Sequence, residues 1–146
     1  MANDGSFLGL GVARYDDDGN VIGLVKKSQT VAFGEFTDST GVTGTFELTD
    51  KVPVGAIFLG CALTALTGFA GDTSATITVG DGTDVDRYMT GTPDVFTTIA
   101  AGLALGIPSG VKYHAVEKTI KITITAATDW GAVTAGALTI EFFYLT

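Results

Sequence analysis

Residues 118–125 read Lys-Thr-Ile-Lys-Ile-Thr-Ile-Thr, so Ile120, Ile122 and Ile124 fall on one side and Thr119, Lys121, Thr123 and Thr125 on the other. A period of two is the mark of a strand with one buried and one wet face. The same alternation runs through residues 138–146, although Phe143 and Leu145 make its second face apolar as well. Residues 45–49 place Phe46 and Leu48 opposite Glu47, and residues 30–36 place Val31, Phe33 and Glu35 on one face. Residues 7–15 and 21–25 flank Asp16-Asp17-Asp18-Gly19-Asn20, where Asp-Gly between apolar runs signals a hairpin. Residues 53–69 are apolar at both parities: Ile57, Leu59, Cys61 and Leu63 against Phe58, Ala62 and Leu66. That pattern predicts a strand buried on both sides, one side meeting a partner. Further strands are expected at 75–79, 87–90, 95–100 and 111–116, and a short helical turn at 102–110.

About nine or ten strands separated by Gly, Asp and Thr turns argue an all-β chain, a sandwich or barrel. Irregular connections favour a single-domain antiparallel β-sandwich of jelly-roll type. Its expected extent is residues 7–146, preceded by a flexible polar arm at residues 1–6. No fixed-period repeat and no linker divides the chain.

Composition sharpens this picture. The chain has 146 residues, one domain by length. It is 46% apolar but only 16% charged, against about 25% in average chains. So few charges leave much surface uncovered, which burial against copies of the same chain would explain. The net charge of −8 gives no electrostatic footprint for nucleic acid or anionic lipid. The N-terminus lacks a basic stretch followed by an apolar one, so no ordinary export signal is expected, and 54–66 is too short to span a bilayer. Cys61, the one cysteine, excludes an intrachain disulfide, and its apolar strand predicts a buried, inert thiol.

Catalytic chemistry is hard to assemble from these residues. His114 is the one histidine, and alternation with Lys112 predicts a surface or strand-edge position. One His and one Cys cannot build a four-ligand zinc site. No nucleophile elbow or phosphate loop is present. The acidic loops are the remaining candidates. Asp16, Asp18 and Asn20 begin like a calcium loop, but Val21 stands where glycine is required. Asp81, Asp84 and Asp86 could hold Ca²⁺, or Asp81 could cap a turn with Gly82 at positive φ. Trp130 fits a plug at the end of the sandwich better than a sugar platform. The chain is expected to be no enzyme.

Two segments carry a resemblance. Residues 75–88, Ala-Thr-Ile-Thr-Val-Gly-Asp-Gly-Thr-Asp-Val-Asp-Arg-Tyr, resemble a strand-loop segment of tailed-bacteriophage virion proteins. Residues 134–142, Thr-Ala-Gly-Ala-Leu-Thr-Ile-Glu-Phe, are similar to their terminal strands. Together they cover about a sixth of the chain. The whole resembles a small siphophage-type capsid decoration protein. That resemblance implies a homotrimer at threefold positions of the head, bound to the major capsid protein. It implies no enzymatic activity, no cofactor, and location on the capsid surface of the virion after synthesis in the host cytoplasm. Phe58, Leu66, Phe143 and Leu145 are the expected interface or core residues. A carbohydrate- or receptor-binding module using Trp130, Tyr88 and the 81–86 loop is the alternative, with a tail or head-fibre subunit beside it.

Overall fold

The computed structural model describes residues 14–15, 21–99, 102–106 and 113–146. The expected arm at 1–6, residues 7–13 and the loop at 16–20 lie outside them. Ten strands are described: β1 (Arg14–Tyr15), β2 (Val21–Ile22), β3 (Leu24–Ala32), β4 (Thr37–Asp38), β5 (Thr43–Glu47), β6 (Ile57–Ala70), β7 (Ala75–Gly80), β8 (Leu103–Ala104), β9 (Lys121–Ala126) and β10 (Ala135–Leu145). β1 and β2 pair as the ends of the expected hairpin. The others form two antiparallel four-stranded sheets, ordered β3-β10-β6-β8 and β4-β5-β9-β7. An added bridge joins Asp94 to Thr76 beside β7. The fold is an antiparallel β-sandwich whose core lies between the inner faces.

The β9 alternation is realised: Ile120, Ile122 and Ile124 are fully buried. Its neighbours continue the pattern. Thr43, Thr125 and Thr76 lie in one row, and Thr45, Thr123 and Thr78 in the next. This sheet therefore turns a hydroxyl-rich face outward.

β6 corrects the expectation of a strand buried on both sides. Tyr144 pairs with Phe58 but Phe143 with Gly60, so Leu59 is an extra residue. Ile140 pairs with Leu63 but Thr139 with Ala65, so Thr64 is another, and Ala137 pairs with Thr67 but Ala135 with Ala70, which adds a third. Each bulge reverses the parity of the side chains that follow. Phe58, Cys61, Leu63, Leu66 and Phe69 consequently all face the core. Apolar residues of both parities thereby meet on the core face. Ile57 and Leu59 are left outside, 41% and 44% exposed.

Other elements differ from expectation for local reasons. The strand expected to reach residue 36 stops at Ala32. There Glu35 folds back to accept the Ala32 N–H at 2.7 Å, and residues Phe33–Glu35 form a 3-10 turn. Residues 87–90 make no strand but fold back, with the Tyr88 N–H donating to the Val79 carbonyl. The 95–100 strand reduces, in its described part, to bridges flanking buried Val95. The described part of the expected helical turn, 102–106, contains β8 instead. Of the 111–116 strand, the described part makes a single bridge, Tyr113 to Ile57.

Trp130 closes one end of the core. It is 3% exposed and contacts the rings of Phe33, Phe36 and Phe69. Gly44 lies under its indole; a methyl group there would overlap the six-membered ring. Cys61 is 6% exposed, and burial pushes its thiol up to about 12. Alkylation of native protein at pH 8 should therefore run on the order of a thousandfold slower than in urea, since only the thiolate reacts. Labelling at the unfolded rate would contradict this burial.

Candidate interaction surface

The loop after β7 forms around Asp81. Its Oδ1 accepts the N–H groups of Thr83 at 3.0 Å and Asp84 at 2.9 Å, while Gly82 takes φ +84°. This is the turn expected from an aspartate followed by glycine. Oδ2 lies 2.9 Å from Arg87 Nε and 3.0 Å from Lys118 Nζ, as ion pairs rather than aligned hydrogen bonds. Burial alone would raise this carboxyl. The Asp84 N–H, Lys118, the Thr83 N–H and Arg87 together hold it at about 2. Asp84 stands 3.7 Å from the far side of Arg87. Asp81, Asp84 and Asp86 do not converge on a cation position, and the described residues contain no group of three or more metal-ligating side chains. The calcium reading of this loop is replaced by a buried ion-paired turn. Asp16, Asp18 and Asn20 lie outside the described residues.

His114 corrects a second expectation. It is 3% exposed, because its backbone exchanges hydrogen bonds with Gly55 and Ala56 and its ring packs edge-on against Tyr88. Burial, then Arg87 and Lys118, lower its pKa, with Asp81 opposing. Tyr88 is fully buried and stacks 4.2 Å from Phe58. With Tyr88 and Trp130 both inside, the aromatic platform needed by the sugar-binding alternative is absent among the described residues.

Leu24, Ile57, Leu59, Tyr113 and Leu145, five of the large exposed apolar residues, instead gather on the outer face of the β3-β10-β6 sheet. Tyr113 pairs with Ile57, Ile57 with Leu145, and Leu145 with Leu24. Directly paired residues share a face, so the four form one row across the sheet. They are 55%, 41%, 38% and 64% exposed. Leu59 and half-buried Phe143 adjoin the row, and a shallow groove runs among Leu24, Leu59, Gly60, Cys61 and Phe143. Farther along, the same face becomes polar, with Lys26 paired to Glu141 at 3.0 Å and Thr30 to Thr139 at 2.9 Å. A contiguous apolar patch with a polar border is the usual form of an association surface.

No protein-family model matches the sequence, and no curated protein matches it. A chain in the solved structure of the cyanophage Pam1 capsid asymmetric unit is similar, with a TM-score of 0.58 and 20% identity over 99% of both chains. What the two share is the fold. The match runs end to end, so the sandwich as a whole corresponds.

Of the four residues expected at an interface, Phe58 and Leu66 are 0% and 4% exposed and belong to the chain's own core. Phe143 and Leu145 reach the outer face. Sequence reading passed over Leu24 and Tyr113. Leu24 carried a usable signal, having the opposite parity to Val25 and Val31 along one strand. Tyr113 carried none, because its place depends on a bridge to a distant strand.

Proposed function

We propose that this chain is a structural protein of a phage virion, a jelly-roll decoration protein that stabilises the head. The observation carrying the reading is the end-to-end fold likeness to a capsid chain. The strand order supports the jelly-roll type. Counting β3, β5, β6, β7, the Asp94 bridge, β8, β9 and β10 as one to eight, the sheets run one-eight-three-six and two-seven-four-five.

In this reading the protein is a homotrimer at threefold positions of the capsid surface, bound to the major capsid protein after synthesis in the host cytoplasm. It has no catalytic role and needs no cofactor. The apolar row joins copies of the chain. Each copy carries a net charge of −8, so association is least opposed where charges are few. The row has none, and its nearest charged pair, Lys26 and Glu141, is internally neutralised. Specific interfaces bury about 800 Å² per partner, so the row would form the dry centre of a larger contact. Several copies bound across shell seams would add stability by avidity.

Light scattering should give a mass of three chains, unchanged by EDTA, and the protein should co-sediment with heads lacking it. Phe143→Asp should give single chains with an unchanged circular dichroism spectrum, since a carboxylate on the outer face disrupts association and spares the core. A wild-type monomer that ignores heads would refute the function. A Phe143→Asp variant that stays trimeric would refute only the assignment of the surface.

A further inference from the structure

Four buried polar atoms near one end of the sandwich lack a hydrogen bond within the protein: Asp81 Oδ2, Arg87 Nε, Tyr88 Oη and His114 Nε2. The first two are joined as an ion pair. The last two have no hydrogen-bond partner among the described residues. Tyr88 is 0% and His114 3% exposed, and their rings meet edge to face at 5.6 Å. An orphaned buried hydroxyl or imidazole nitrogen costs about 1–3 kcal/mol, and native interiors usually satisfy such groups with protein or ordered water.

We infer that Tyr88, His114 and the Asp81 carboxylate form a binding site for a single buried water molecule. The chemistry of the cluster selects water over an ion. Asp81 is already flanked by two cations, Arg87 and Lys118, so the charges nearly balance once Asp84 is included. The groups of the cluster are mixed in kind. The tyrosine hydroxyl donates and accepts, neutral imidazole does one or the other by tautomer, and the carboxylate accepts. Water, which both donates and accepts, matches such a set; an anion needs only donors and a cation only acceptors. The water would tie the 80–88 loop to the segment around His114, two parts of the chain that share no strand pairing.

Crystals diffracting to high resolution should show density within hydrogen-bonding distance of Tyr88 Oη and His114 Nε2. Tyr88→Phe supplies an independent reading. If water is bound, removing the hydroxyl removes a satisfied group, and the folding equilibrium constant should fall by roughly five- to tenfold. If the hydroxyl is truly orphaned, the variant should be more stable than the parent. Absence of density beside well-ordered rings, a direct Tyr88–His114 hydrogen bond, or a stabilised Tyr88→Phe protein would each overturn the inference. Should Tyr88→Phe fail to fold, the wild-type density decides alone.

Discussion

Trp130→Ala is expected to be the most damaging single truncation in the chain, costing about 3–5 kcal/mol. The indole is 3% exposed and fills the space among Phe33, Phe36 and Phe69, so its loss leaves a cavity lined by rigid rings. The backbone offers little collapse. The Trp130 N–H donates to the Gly41 carbonyl at 2.8 Å, and Asp129 caps the turn by accepting the Gly131 N–H at 3.0 Å. At about 2–4 °C per kcal/mol for a chain of this size, the melting temperature should drop on the order of 10 °C. A double-mutant cycle makes the contact specific. Gly44→Ala alone should destabilise, because its methyl overlaps the indole. In the Trp130→Ala background the same methyl enters vacated space, so the two costs should fall short of additive by about 1–3 kcal/mol. Additive costs in urea unfolding would show that Gly44 does not seat the tryptophan.

The strand grammar was legible wherever one face is wet and the partner regular. In β9 the Ile-Thr alternation fixes which side is buried without reference to any neighbour. β6 was not legible in the same way. Its inward residues fall at steps of three, two, three and three, because bulges at Leu59 and Thr64 and a third register shift between Thr67 and Ala70 interrupt the period. A bulge is a relation between two strands, and the β6 sequence taken alone cannot distinguish it from burial on both sides. His114 failed for a related reason. Alternation from Lys112 assumed a strand, whereas a single bridge and a pair of hydrogen bonds to the 55–56 turn orient the residue.

The candidate site divides along the same line. The Asp81 turn is local, and Asp-Gly announced it. Its ion partner Lys118 is distant in the chain, yet a signal existed, since Lys118 shares the parity of buried Ile120. A lysine on the inner side of a strand calls for a carboxylate nearby. The low charge content suggested hidden surface, but the apolar row depends on three strand registers that composition does not encode.

Asp81→Asn should lower stability by about 2 kcal/mol at neutral pH, and the loss should vanish in acid. The carboxyl is held at about 2, from an ordinary 3.8, and each unit is worth about 1.36 kcal/mol. Because the folded state depresses the pKa, the contribution is complete above 3.8 and disappears as pH falls through about 2. The side chain is fully buried, and Arg87 and Lys118 are 19% and 31% exposed, so moderate salt should screen the interaction only weakly. The wild type has an earlier acid step as well. His114 is also depressed in the folded state, so the unfolded chain takes up its proton first and stability declines below about 6.5. In the variant that step should deepen, because Asp81 favours the protonated ring while burial, Arg87 and Lys118 oppose it. Asp72, at about 2 through N–H groups of Thr128 and Thr73, titrates in the low window too. The decisive quantity is therefore the gap between wild type and Asp81→Asn, measured by urea unfolding from pH 7 to 2. It should close between pH 3.8 and 2. A gap that persists unchanged at pH 2 would mean that the lost stability comes from packing or hydrogen-bond geometry and not from the charge of Asp81.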